Sequence, residues 1–166
     1  MKQLESDVII IAGGMSGLCA AAAAAERGAS VTVFEKTGTV GGAANMGMGF
    51  FAVESHIQKA NLIGLTVDEA FMRFMNFNHW KADAALVHKL YAQSGSTVKW
   101  IEDMGVEWLG AFKYFDDSEA TWHVPKVPGS NKPVPRCASI IVKAIYDYAA
   151  AQGVQFVFNT TVKMIE

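Results

Sequence analysis

Charge is scarce in this chain. Of 166 residues, 14 are Lys or Arg and 16 are Asp or Glu, 18% in all, while 51% are apolar. Soluble domains usually carry about 25% charged residues. Part of this surface is therefore expected to be covered, by a cofactor, a partner chain or further polypeptide. A formal net charge of −2 gives no electrostatic case for binding nucleic acid or an anionic membrane. Cysteine is nearly absent. Cys19 and Cys137 stand far apart with no CxxC pair, which excludes a zinc ribbon and a c-type haem attachment. Two isolated thiols suit a reducing compartment, so the cytoplasm is expected. No apolar run reaches the roughly 18 residues of a bilayer span, so no membrane span is expected. Val8 to Ala12 is too short for a signal-peptide core. His56, His79, His88 and His123 fall at no metal-ligand spacing, and no metal is expected. Proline is confined to four residues from Pro125 to Pro135.

What remains is material for regular elements. The length fits one domain, or one and part of a second. Val8 to Ile11 is a β-branched run, apolar on both faces, as in a buried central strand of a parallel sheet. Glycines follow at once, then Leu18 to Arg27 with alanines from Ala20 to Ala25, a strong helix former. Gly28 stops that helix, and Ser30 to Phe34 is a second strand. Strand, glycine turn, helix and strand over residues 7–35 form a βαβ unit. Thr37 to Gly49 is a long loop of small residues. A helical segment covers 67–105, with helices at Val67 to Trp80 and Ala84 to Met104. Val106 to Trp108 is a candidate short strand. Residues 116–136 read as an irregular polar excursion. Residues 138–166 return with a helix to Gln152, a strand at Val154 to Phe158, and a candidate strand from Thr161 to Ile165. The fold class expected is α/β: a Rossmann-like fold, with a parallel sheet flanked by helices and an irregular insertion.

The motif that carries chemistry is Ala12-Gly13-Gly14-Met15-Ser16-Gly17. It matches the G-x-G-x-x-G pattern between a strand and a helix. Gly14 takes the second place, where backbone must approach a pyrophosphate. Gly17 takes the third, where helix and strand pack closely. Ala12 holds the first place, a departure, and the neighbouring Gly13 is a candidate to absorb the turn's unusual dihedrals. Met15 and Ser16 would direct backbone N–H groups at phosphate, aided by the helix dipole. Glu35 ends the next strand 18 residues after Gly17, the place of a carboxylate that binds ribose hydroxyls.

On these residues the chain resembles the FAD-binding domain of the fumarate reductase and succinate dehydrogenase flavoprotein family, with the 3-ketosteroid dehydrogenases among its relatives. Glu35-Lys36 is similar to that family's ribose and adenine contact. Gly41-Gly42-Ala43-Ala44, then Gly47-Met48-Gly49, resembles its second glycine loop, against pyrophosphate and flavin. Many members carry Asn or Ser and then Thr where Ala43 and Ala44 stand. No histidine lies between Thr37 and Gly49, so the resemblance implies non-covalent FAD. Trp100 to Val106 fits the family's W-I-x-D-x-G-V stretch. Residues 140–165 resemble a later helix and strand, where the backbone near Val162 meets adenine. The resemblance implies hydride transfer between reduced flavin and an activated C=C bond of a small-molecule substrate. Members are several times longer, with the capping domain and most catalytic residues beyond this portion. The chain is thus expected to be a fragment, a split subunit or a truncated relative, binding FAD without catalysing alone. No catalytic residue is assigned.

Other residues read more plainly. Arg136 is expected on the surface, Cys19 as a small packing residue, and Asp116, Asp117 and Glu119 as a solvated run. Phe71, Phe74, Phe77 and Trp80 are expected in a core or a covered interface. Two alternatives stay open: an NAD-binding module using the same fingerprint, and a non-catalytic interaction subunit whose cofactor site has degenerated at Ala12.

Overall fold

The computed structural model describes residues 3–165. Its elements in chain order are β1 Val8–Ile11, α1 Met15–Ala25, β2 Val31–Phe34, β3 Phe50–Phe51, α2 His56–Ala60 and α3 Val67–Phe77, then α4 Ala84–Asp103, β4 Trp108–Phe112, β5 Trp122–Pro125, α5 Ala138–Ala151 and β6 Gln155–Val157. A 3-10 segment lies at Gly42–Met46. The elements sort into two units. One holds the residues up to Gly47 and those from Pro135 onward; the other is Met48–Val134.

The first unit is the α/β layer. Its sheet runs β1-β2-β6 and is parallel throughout, with Ile11 beside Phe34 and Phe34 beside Val157. Val31, Thr32 and Val33 are buried on both faces, so β2 is the central strand. The expectation that Val8 to Ile11 is central is corrected: among the described residues β1 pairs only with β2. Ile9 is 58% exposed and Ile11 48%. Ile9 and Ile11 share one face of β1 and Ile10 points to the other, so the run is apolar on both faces but covered on only one. Alanine's small side chain lets helices approach closely, and α1 packs on β1, β2 and α5. Leu18, Ala21 and Ala22 face inward from α1, and Ile141, Val142 and Ile145 from α5. Each large aliphatic buried this way contributes about 1.5–3 kcal/mol. Residues 161–165 form no strand, which corrects that expectation. Beyond Val157 the chain stays beside the residues that follow β2, with Asn159 N–H donating to the Thr37 carbonyl at 3.1 Å and Thr160 N–H to the Glu35 carbonyl at 2.9 Å.

The second unit is an antiparallel sheet, β3-β5-β4, with helices. Its central strand, β5, lies inside the stretch read as an irregular polar excursion. Trp122, His123 and Val124 pair with β4 on one side, and Trp122 and His123 with β3 on the other. The prolines hid this strand, but Pro125 stands at its end, where no further ladder donor is needed. The strand expected at Val106 to Trp108 forms later, at Trp108–Phe112, because that is where β5 supplies partners. Thr66 and Glu69 close a capping box on α3, and Asp83 caps α4. Phe71 and Phe74 pack against Val53, Leu65, Ala70 and Tyr91, as expected of a core. Phe77 and Trp80 do not, at 85% and 54% exposure.

One polar network is sealed in this unit. His123 is fully buried. Its Nδ1 faces the Thr121 carbonyl at 3.1 Å, so Nδ1 carries the proton. Nε2 then accepts from Ser55 Oγ at 2.6 Å. Ser55 Oγ in turn accepts from Gln58 N–H at 3.1 Å as the cap of α2.

Candidate cofactor site

The glycine turn lies where β1 hands over to α1. Ala12 N–H donates to the Phe34 carbonyl at 2.8 Å. The left-handed dihedral falls on Ala12 itself, φ +80°, while Gly13 is not among the residues with positive φ. Gly13 therefore does not absorb the turn, as had been expected of it. The demand at the first fingerprint position is met by a residue with a Cβ. Gly17 follows the expected logic: a Cβ there would sit 2.1 Å from the Ala12 carbonyl oxygen. Gly14 is the helix N-cap, with no side chain capping the helix and no acid in its first turn. The first intrahelical bond is Leu18 N–H to the Gly14 carbonyl. The amides of Met15, Ser16 and Gly17 therefore precede the helical ladder, at the positive end of the dipole. A Cβ on Gly14 would meet nothing within 4 Å. Space and donors coincide there, the arrangement that receives a phosphate.

The second glycine loop is tied to the first. Gly41 N–H donates to the Gly13 carbonyl at 2.7 Å, and Gly14 and Gly41 form a parallel bridge. Gly41 and Gly42 both have positive φ, at +98° and +51°. A Cβ on Gly41 would also strike Asn45 and Val142 at 2.6 Å. Ala43 and Ala44 follow in the 3-10 segment. Met48 and Gly49 belong to the second unit. There Gly49 admits the Trp122 indole, whose N–H donates to the Met48 carbonyl at 2.9 Å.

Glu35 lies in a cleft of about 200 Å³ with Ile11, Ala12, Phe34, Lys36, Thr160, Thr161 and Val162. The fold thus brings Ala12, Glu35, Lys36 and Val162 to one place. The Glu35 carboxylate is buried and held from both ends. Its Oε2 accepts from Gly13 N–H at 2.8 Å. Its Oε1 accepts from Thr37 N–H and Thr37 Oγ, each at 2.8 Å. The Thr37 amide above all, then Gly13 N–H, the Thr37 hydroxyl and the Lys36 charge, lower the Glu35 pKa against the opposing cost of burial. Neither Thr37 nor Gly13 was expected from sequence to hold the carboxylate. A hydroxyl residue two places after the carboxylate is the local signal that points to Thr37.

A protein-family profile described as FAD binding domain matches residues 7–165. The chain belongs to that FAD binding domain family. FAD is therefore the cofactor this domain binds. Vinyl phenol reductase of Lactiplantibacillus plantarum is 32% identical over 160 residues, which is 96% of this chain and 31% of that protein. A flavocytochrome c3 fumarate reductase in its open conformation superposes with a TM-score of 0.79 at 23% identity, over 93% of this chain and 26% of that one. The 3-ketosteroid-Δ4-(5α)-dehydrogenase of Rhodococcus jostii RHA1 gives 0.78 at 20% identity, over 96% and 38%. Both superpositions describe the fold. This FAD binding domain chain spans less than a third of the length of the curated relatives it matches, 31% at most.

The remaining residues of the domain play local parts. Burial raises the Cys19 pKa, so the thiol packs and is not activated by the helix start. Neither cysteine is in a disulfide. Arg136 is exposed. Glu119 is not merely solvated: it pairs with Arg73 at 2.6 Å. Among the described residues no group of three His, Cys, Asp or Glu is placed to hold a metal. None of their helices is long and apolar enough to cross a membrane.

Proposed function

We propose that this chain is the nucleotide-gripping portion of a fumarate reductase-like flavoprotein oxidoreductase, and that it holds FAD non-covalently through the ADP half. The observation that carries the reading is the clamp of two glycine loops, Gly41 N–H on the Gly13 carbonyl, beside an uncapped helix start. The amides of Met15 and Ser16 bind the pyrophosphate, and Gly14 leaves it room. Gly41, Gly42, Ala43 and Ala44 wall the same space through backbone, since neither alanine offers a polar side chain. Glu35 accepts a hydrogen bond from the ribose, Lys36 flanks it, and the backbone near Val162 borders the adenine. A 2′-phosphate would meet the Glu35 charge, which disfavours NADP.

FAD supplies hydride transfer when bound. In the whole protein the substrate is a small molecule with an activated C=C bond. Most of the residues that polarise it and move its proton belong to the portion of the longer relatives that this chain does not cover. The chain's own task is to bind and orient the cofactor. Two cysteines without a disulfide support a cytoplasmic setting.

Visible absorbance of the purified chain, before and after FAD is added and the excess removed, tests the reading. Retained flavin bands are expected. Gly14→Val should abolish them at a cost to stability no larger than the loss of a good N-cap residue, about 1 kcal/mol, because a Cβ there meets no protein atom within 4 Å. A chain that keeps NAD and refuses FAD, or one that stays colourless, overturns it.

A further inference from the structure

The second unit holds a cleft of about 410 Å³, and every residue that lines it lies between Phe51 and Thr121. Its wall is aromatic. Phe51 and Tyr91 meet with ring centroids 4.7 Å apart. Phe77, 85% exposed on α3, lends its ring to the same cleft, while Phe71 and Phe74 of that helix pack into the core. Tyr91 is only 9% exposed. Its hydroxyl bonds to no described residue, and burial alone raises its pKa. Among the described side chains the one polar atom both sealed and unbonded is Trp108 Nε1. The Tyr91 oxygen therefore reaches open space, and the open space beside it is this cleft. A hydroxyl so deep and without a protein partner is one that a ligand can satisfy. The rim is charged. Arg73 is engaged: Glu119 bonds it at 2.6 Å, and the Glu119 and Glu69 charges both act on it. Arg73 against Asp117 and Glu119 leaves one negative charge in excess at the cleft. Lys113 and Asp116, in the same loop as Asp117, cancel each other. Aromatic faces, a hydroxyl able to accept and an excess of carboxylate all favour a cation.

We propose that this cleft binds a small organic ammonium ion, its apolar body against Phe51 and Phe77 and its N–H groups shared between the Tyr91 hydroxyl and the Asp117 and Glu119 carboxylates. The volume lies within the range of small-molecule clefts, roughly 300–1,000 Å³. The ring faces hold the body and the positive charge together, and the unbonded hydroxyl fixes the orientation.

Three probes of similar shape and different charge test this, titrated into the whole chain by calorimetry: 2-phenylethylammonium, 2-phenylethanol and phenylacetate. The ammonium should bind with a Kd of about 1 mM or tighter, within reach of so small a ligand. The alcohol should bind about two- to thirtyfold more weakly, the range of a cation–π contact, and phenylacetate more weakly still. Added salt should narrow the order. Tyr91→Phe should weaken the ammonium about two- to tenfold without lowering the melting temperature, since the hydroxyl has no protein bond to lose. Asp117→Asn combined with Glu119→Gln turns the rim positive, and phenylacetate should then overtake the ammonium. Equal binding of ammonium and alcohol overturns the proposal in favour of a plain apolar cleft. Tighter binding of phenylacetate to the parent chain overturns it in favour of an anion site at Arg73. So does ammonium binding that ignores both Tyr91→Phe and the double variant, or no saturable binding of any probe in the millimolar range. Flavin retention is read separately by visible absorbance, so this proposal and the FAD reading can each fail alone.

Discussion

Ala12 is where the fingerprint and the backbone disagree. Its φ of +80° is a conformation that costs a residue with a Cβ about 1–2 kcal/mol. Ala12→Gly removes that cost but adds freedom to the unfolded chain, worth about 0.4–1 kcal/mol. The expected outcome is a net gain of about 0.5–1 kcal/mol in urea denaturation, with flavin binding retained. A loss of stability would mean that the turn tolerates alanine without strain. Gly17→Ala should go the other way. Its Cβ would lie 2.1 Å from the Ala12 carbonyl oxygen, and α1 must shift off the strand at a cost of about 3 kcal/mol, measured in the same denaturation series. The fingerprint was legible because glycine spacing reports where backbone must pass closely. Which residue bears the strain was not legible, since Ala12 and Gly13 are adjacent and only the path of the chain separates them. The double grip of Thr37 on Glu35 was equally hidden, because an acid at a strand end looks the same whether or not its neighbour holds it.

At the scale of elements, β5 carries the clearest consequence. Burial lowers the pKa of its His123 from the ordinary 6.5, and the nearby His56 adds to this, against the pull of the Thr121 carbonyl. The folded state therefore resists a proton that the unfolded chain accepts. The stability that follows is fully present above pH 6.5 and falls as the pH drops below it, by at most about 1.4 kcal/mol per pH unit. Urea midpoints should hold steady from pH 8 to 6.5 and decline towards pH 5. His123→Asn should flatten the decline. A parent midpoint unchanged at pH 5.5 contradicts the prediction. Ser55→Ala removes both the partner of His123 and the cap of α2, and should cost about 1–3 kcal/mol at neutral pH. Long periodic elements were legible here: α3, α4 and α5 start at Val67, Ala84 and Ala138 as expected, with Thr66 and Asp83 capping the first two. β5 was not, because four residues among prolines give no period to read, and a strand this short is defined by its neighbours on either side.

On the scale of the molecule, one apolar sheet face is the feature to watch. Ile9 and Ile11 lie on the same face of β1; both are exposed, and they border a cavity of about 440 Å³ with Phe34, Val162, Met164 and Ile165. Open apolar faces associate. Sedimentation velocity of the isolated chain should show association rising with concentration, reduced by Ile9→Lys. A monomer at all concentrations would show that the open face is tolerated. The low charge fraction made a covered surface legible, but not its position, which depends on strand order. The division of the chain has a consequence for synthesis. Phe34 waits for Val157 to complete its sheet, while everything needed by Met48–Val134 emerges from the ribosome in between. Domains generally fold as units while the chain is made, at roughly 5–20 residues per second. The inserted unit can therefore be finished first, and the nascent chain carries β1 and β2 unsatisfied for the seconds it takes to make the insertion. The cleft beside Glu35 exists only once Val162 has been made, so on the proposed reading cofactor capture waits until the insertion has been completed and passed.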